Sequence, residues 1–574
     1  MIWSLFAIVV LLVAAAAWVG VRAVLAAGHL RDAQQAASRL TSSISDPAAA
    51  AGVVGRLMKE TGAAHDLTGD PVWAAAMGVP WVGEQLAAVR TAIVAVDDVV
   101  TEAIAPLATP NGLSVAALQP VDGRFDLDAI AAMHDPAVSA AAATAAAAES
   151  VDSIRTSALL SPLADEVVRL QELVGTARTT TDALSRVTEL MPAMLGAEGP
   201  RNYLVLFQNL AEWRSLGGIV GATALVHAEG GGMELADQRA ANDMARWPES
   251  VIPMGPELDA IYDQKPGRYM QNVTQVPSFP LGAQLAQEMW ARDTGTRVDG
   301  VVAFDPVALS YLLRATGPIE LATGDLLTSE NAVQLLLNEV YLRYPRPADQ
   351  DAFFQSATAQ IFAALTSGRA DTAELIGALA QAGAERRILM WNAVPEEQAV
   401  LDGTSLQGHL PTTDAERTTF GVYLNEGASS KINYYTKIDT GVSWCTDTEG
   451  SPDAALSLRI RSELPGDASL PPYIVGSGSY GVPPSITRTV TYLYLPAGSE
   501  LASASSEGPG SPGFATGSDG EYTVLTWTTD LAPGEEATAA VRVRTPQTPV
   551  LAAEVTPVIP GSAGEIPAAC TPAS

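Results

Sequence analysis

The chain has 574 residues, enough for about four domains of roughly 150 residues each, which excludes a single small domain. Its 33 Lys and Arg against 64 Asp and Glu give a net charge of −31, which argues against nucleic acid or an anionic lipid surface as a general partner and leaves only a local basic site open. With 48% hydrophobic and 17% charged residues the chain is not mostly disordered, and apolar stretches after the first are too short for a multispanning membrane protein.

Met1 to Val21 carries no charged side chain. About 20 apolar residues rising about 1.5 Å each match a hydrocarbon core about 30 Å thick, which predicts a transmembrane anchor over residues 1–21. The alternative is a cleaved signal peptide, opposed by the missing basic n-region and by Leu25-Ala26-Ala27, a poor small-x-small site. Arg22 and Arg31 follow the apolar stretch, which on the positive-inside rule favours a cytoplasmic body. The cysteines point the other way. Only Cys445 and Cys570 occur, where a β-domain begins and ends, and such a pair suits a disulfide in an oxidising compartment. Two buried free thiols are the alternative. The expectation is a single-pass cell-membrane protein with an extracytoplasmic body.

Residues 22–198 are Ala-rich and recur in helical periods, as in Leu86, Val89, Ile93 and Val96 and again in Leu160, Leu163, Val167 and Leu170. They predict a helical stalk or bundle, with breaks at Gly69-Asp70-Pro71, Thr109-Pro110-Asn111-Gly112 and Gly199-Pro200. Its Ala-rich faces permit a homo-oligomer without demanding one. From Arg201 a buried strand, Tyr203 to Phe207, leads into a polar, glycine-rich turn and a second apolar run, Ala222 to Val226. Asp299 to Asp305 reads as another strand, with Asp305 the N-cap and Pro306 the first residue of a helix. Helices at Ser329 to Leu342 and Ala348 to Thr366 complete an α/β core domain over 199–400. After Ser405 the period becomes two, with strands at Thr418–Leu424, Lys431–Ile438, Ala455–Arg461, Thr487–Leu495, Tyr522–Trp527 and Ala537–Val543. Six to eight strands predict an immunoglobulin-like β-sandwich over 405–574, with Trp444 a core aromatic. The predicted class is multidomain α+β.

The densest polar constellation is Gln208, Asn209, Glu212 and Arg214, followed by Gly217, Gly218 and Gly221 at a strand end, where sites in open α/β sheets form. Glycines let backbone N–H groups approach a ligand, and Arg214 suits a phosphate or carboxylate. The competing reading has Asn209 and Glu212 capping a turn and Arg214 neutralising Glu212. A second cluster, Lys265, Arg268, Tyr269 and Asn272 with Arg292 and Arg297, reads either as a basic lip or as a solvated face. Asp299 and Asp305 flank a strand as candidate metal ligands, with capping the simpler account of Asp305. The five histidines show no ligand spacing, and Gly476 to Gly481 and Gly230-Gly231-Gly232 read as loops.

The run Arg201 to Asn209, then Glu212-Trp213-Arg214, Gly217-Gly218 and Gly221, resembles the signature of an uncharacterised bacterial envelope family, domain of unknown function four thousand and twelve. Agreement continues through Val276 to Pro280, Val298 to Val301, Asp305 to Leu309, Thr316 to Ile319 and Asn331-Ala332, then Tyr423-Leu424-Asn425, Ser429 and Lys431. The resemblance implies anchoring by one N-terminal helix and names no reaction. Val298 to Ile319 is fainter in its similarity to the LytR-CpsA-Psr family, which transfers glycopolymers from polyprenyl-pyrophosphate lipids using arginines and magnesium. Two functions follow as expectations. The first is an envelope protein with a structural, assembly or glycopolymer-binding role. The second is a transferase with Arg214, Arg268 and Arg314 binding pyrophosphate of a polyprenyl lipid and Asp299 or Asp305 holding Mg. Arginines converging on an apolar cleft would favour the second.

Overall fold

The computed structural model describes residues 2–43, 47–107, 118–446, 452–466, 470–568 and 570, so the break expected at Thr109-Pro110-Asn111-Gly112 lies outside the described residues. The chain divides into two units, Met1–Ala197 and Glu198–Ser574. The stretches 199–400 and 405–574, read separately from sequence, fall within one unit.

In the first unit, α1 (Ile2–Ser43) does not stop at Val21 but continues as one helix, long and apolar enough over Val13–Arg39 to cross a membrane. It packs on α2 (Pro47–Thr68), the short α3 (Pro71–Ala76) and α4 (Val82–Asp98), and α4 in turn meets α5 (His134–Asp152) and α6 (Ser161–Met194), which pack on each other. Small side chains make the joints. Ala26, Ala64 and Ile93 form one cluster, Ala33, Ala36, Leu57 and Val100 a second, and Ala95, Ala147, Ala148, Val151 and Val174 a third. Polar ties across the bundle join His29 to Glu60 at 2.6 Å and His65 to Asp97 at 2.8 Å.

The second unit opens with β1 (Arg201–Arg214), β2 (Gly217–Glu229) and β3 (Gly232–Ala240). Gly230 and Gly231, both at positive φ, turn β2 into β3. After α7 (Phe279–Thr294) come β4 (Gly300–Phe304), α8 (Pro306–Thr316), α9 (Pro347–Thr366), α10 (Thr372–Ala384) and β5 (Ile388–Asn392). The sheet order is β3-β2-β1-β4-β5, with β1 and β4 parallel and the other pairs antiparallel. Leu204, Leu206 and Val301 turn one face onto Phe279, Ala283 and Trp290 of α7. The helix expected from Ser329 starts later, at Ala332, because Asn331 Oδ1 closes a turn on the Thr328 N–H at 2.8 Å.

The C-terminal region is β-rich: β6 (Arg417–Glu426), β7 (Thr436–Thr446), β8 (Pro452–Ser462), β9 (Thr487–Tyr494), β10 (Glu500–Glu507), β11 (Ala515–Asp519), β12 (Tyr522–Leu531), β13 (Glu536–Arg544), β14 (Val550–Val555) and β15 (Ala563–Glu565). They form two sheets, β10-β13-β8-β7-β15 and β11-β12-β9-β6-β14. Phe420, Val422 and Trp527 of one sheet share a core with Leu456, Ile460 and Val541 of the other, and Trp444 packs at its edge. The parallel pairs β14–β6 and β15–β7 depart from an all-antiparallel arrangement. The strand expected over Lys431–Ile438 begins only at Thr436, since Ile432–Tyr435 forms a 3₁₀ turn whose Ile432 and Asn433 point inward. Cys445 and Cys570 form a disulfide, tying β7 to the C-terminal segment.

Candidate functional site

The segment Gln208 to Arg214, expected as a turn, is strand. Its irregularity is a bulge. Asn209 pairs with Ile219 and Trp213 with Gly218, so Leu210, Ala211 and Glu212 have no opposing residues on β2. The Asn209 carboxamide oxygen closes the bulge by accepting from the Ala211 N–H at 3.0 Å. Gly218 is required by this geometry, because a Cβ there would lie 2.3 Å from the Asn209 carbonyl. At Gly217, φ is +128° and a Cβ would meet the Gln208 side chain at 2.4 Å. Both glycines therefore accommodate the facing strand.

The bulge aims Glu212 at a buried charge cluster. Arg214 Nη2 donates to Glu212 Oε1 at 3.0 Å, and Lys431 Nζ donates to the other carboxylate oxygen. Arg214 also donates to Asn272 Oδ1 at 3.2 Å. Burial alone would raise the Glu212 carboxyl, but Lys431 and Arg214 outweigh it and hold it below its ordinary value. Nearby Glu426 accepts from the Ala428 and Ser429 N–H groups, both at 2.7 Å, and from the Ser430 hydroxyl at 2.9 Å. Burial first, then the Glu212 charge, push the Glu426 carboxyl up to about 7. Trp213 N–H donates to Asn433 Oδ1 at 3.0 Å, and Ser215 N–H to Asn425 Oδ1 at 3.2 Å. The resembling segments around Asn209–Arg214 and Asn425–Lys431 are thus each other's partners.

Above this cluster, on the sheet face opposite α7, lies a cleft of about 590 Å³. Phe207, Ile219 and Phe304 of the sheet form one wall, Phe354, Ala357 and Ile361 of α9 another, and Tyr473 closes an end. Glu212, Lys431 and Asn209 reach its floor, and Tyr341, which shares a hydrogen bond with Asn209, lies beside them. Asp305 and Asp351 are the other lining carboxylates; burial, then the charge of Asp243, raise Asp351 above its ordinary value.

Of the remaining expected site residues, Asp305 lines the cleft, while Arg268, Arg314 and Asp299 lie elsewhere. Arg268 donates to the Trp247 carbonyl at 3.1 Å and stacks on Tyr269, and Arg314 donates to Gln381 at 2.6 Å on the exposed side of α8. Arg214 faces Glu212 and Asn272 instead of the cleft, so no arginine lines it. Asp299 accepts from the Asn202 N–H at 2.7 Å, while Asp305 caps α8 through the Val307 and Ala308 N–H groups at 2.8 Å and pairs with Arg387 at 3.0 Å. The two aspartates are therefore spoken for separately, and among the described residues no group of three or more His, Cys, Asp or Glu is placed to hold a metal ion. Sequence reasoning missed Tyr341, Phe354 and Glu426 as parts of the site; Lys431 carried a signal, being one of only four lysines.

The fold and cleft define an α+β protein with an apolar-walled pocket over a neutralised ionic floor. Residues 198–341 match the model of the family described as protein of unknown function (DUF4012). The match gives no support to the fainter LytR-CpsA-Psr likeness. No match to the chain is found among curated proteins.

Proposed function

We propose that this is a single-pass, membrane-anchored cell-envelope protein whose C-terminal unit binds a ligand with an apolar chain, such as the lipid moiety of a polyprenyl-linked glycopolymer, without transforming it. The observation that carries the reading is the cleft: its volume of about 590 Å³ falls in the range of small-molecule sites, and its walls are mainly aliphatic and aromatic. Its ionic floor is already paired, which leaves the charged groups there structural. The Cys445–Cys570 disulfide supports an extracytoplasmic body. Ala26, Ala33 and Ala36 of α1 are core residues of the first unit, which favours a retained anchor over a cleaved leader. In this reading residues 22–198 are a stalk and residues 405–574 a sandwich module.

The test is native mass spectrometry of the full-length protein released from mild detergent, wild type beside Thr358→Trp, which fills the cleft from α9. A co-purifying lipid mass in the wild type that disappears in the variant is expected. No adduct, or an adduct indifferent to the substitution, overturns the reading.

A further inference from the structure

From Pro71 to Gly83 the chain has no ionisable residue, although Asp70 and Glu84 flank it directly. The segment contains α3 and the turn into α4. It points Trp73 inward, fully buried, and leaves Val79, Trp81 and Val82 exposed at 49%, 61% and 41%. Three exposed apolar side chains grouped in one ordered turn, with no charge among them, have the composition of a contact surface. The turn is fixed by its own backbone: Met77 N–H donates to the Trp73 carbonyl at 3.0 Å, Val79 N–H to Ala76 at 3.1 Å, Val82 N–H to Pro80 at 2.9 Å and Gly83 N–H to Val79 at 2.7 Å. Gly83 is needed there, since a Cβ would lie 2.0 Å from the Met77 carbonyl oxygen. Satisfied amides lower the cost of placing such a turn in an apolar medium.

The level of the segment along α1 is also fixed. Arg22 pairs with Asp70 at 2.9 Å, donates to the Asp66 and Leu67 carbonyls at 3.2 and 3.0 Å, and stacks on Trp18 at 4.8 Å. The bundle covers α1 from Ala26 onward, whereas Val13, Trp18, Val21, Val24 and Leu25 are exposed. The uncharged segment therefore begins where the bundle ends and the uncovered apolar part of α1 starts.

We propose that the α3–α4 turn is a second membrane contact, with Val79, Trp81 and Val82 entering the interfacial layer of the bilayer that α1 spans. The proposal rests on α1 being the anchor. Trp18, Arg22 and Trp81 then form an interfacial group of the residue types that favour this depth. Two contacts in place of one restrict the tilt and rotation of the first unit on the membrane.

The test reconstitutes the full chain into vesicles of phosphatidylcholine and phosphatidylglycerol carrying a doxyl lipid, with an environment-sensitive fluorophore on Trp81→Cys or Val79→Cys. Trp18→Cys reports the anchor and Val138→Cys, on the exposed side of α5, is the aqueous control. The native cysteines are paired and do not take label. Blue-shifted emission and about two-fold quenching at 79, 81 and 18, with none at 138, is expected. Quenching at 18 without quenching at 79 and 81 overturns the proposal and leaves the anchor standing. No quenching at any of these positions overturns the anchor and the proposal together. A blue shift at 79 and 81 without quenching assigns the surface to a protein partner, such as a second copy of this chain, and also overturns it.

Discussion

Replacing Lys431 by Met removes the cation that, with Arg214, neutralises Glu212. Both side chains of the pair are nearly sealed from solvent, at 9% and 7% exposure, so water cannot substitute for the lost ammonium. Breaking a buried pair by deleting one partner costs about 3–5 kcal/mol. Arg214 remains on Glu212 at 3.0 Å, which places the expected loss for Lys431→Met near the lower end, at about 3 kcal/mol. Glu212→Gln should cost about as much, because Lys431 then keeps only the face of Tyr473, 5.7 Å away. The double variant should lose markedly less than the sum, with a coupling of about 2 kcal/mol. Guanidinium unfolding of the full-length protein, followed by tryptophan emission, measures all three. Additive losses, or single-variant losses under about 1 kcal/mol, would show that the cluster is not the closed ionic unit described above.

Three other predictions are independent of that one. Glu426 has a folded pKa near 7 against an ordinary 4.5, so as pH rises the unfolded chain ionises first. Stability should therefore fall between about pH 4.5 and 7, by as much as roughly 3 kcal/mol, and Glu426→Gln should flatten that slope in urea midpoints measured across the range. Gly218→Ala forces a Cβ to within 2.3 Å of the Asn209 backbone and should cost about 2–3 kcal/mol, whereas Gly221→Ala, whose nearest neighbour is 4.0 Å away, should cost under about 1 kcal/mol by the same denaturation assay. The Cys445–Cys570 bridge spans 125 residues, so its removal by Cys570→Ser should cost about 4 kcal/mol, and the native thiols should resist alkylation until reduced, as read by mass shift.

What could be read from the sequence was whatever local pattern determines. The apolar run Tyr203 to Phe207, the cap at Asp305, the helix at Pro347–Thr366 and most β-region strands follow from period and capping chemistry. The continuation of β1 through Gln208–Arg214 was not legible, because its polar residues are satisfied by Asn272, Lys431 and Asn433, 58 to 220 positions away. For the same reason Arg214 looked available to a ligand; of its two readings, neutralisation of Glu212 is the arrangement present. The cleft was invisible for a different reason. Its α9 wall was expected as a helix, but the spacing of Phe354, Ala357 and Ile361 does not say whether that face meets a core or an opening.

A single strand, β1, lays Leu204 and Leu206 into the core beneath α7 and, seven residues on, Trp213 into the core between the two C-terminal sheets. The segment carrying the family signature is consequently not an excisable module: cut free after residue 341, it would display a bare Trp213, a Glu212 that has lost Lys431 and keeps only Arg214, and, without β5, an open edge at β4. Because Trp213, Glu212 and the Trp213 N–H find their partners in the C-terminal region, a recombinant fragment ending at residue 341 should be recovered only as aggregate.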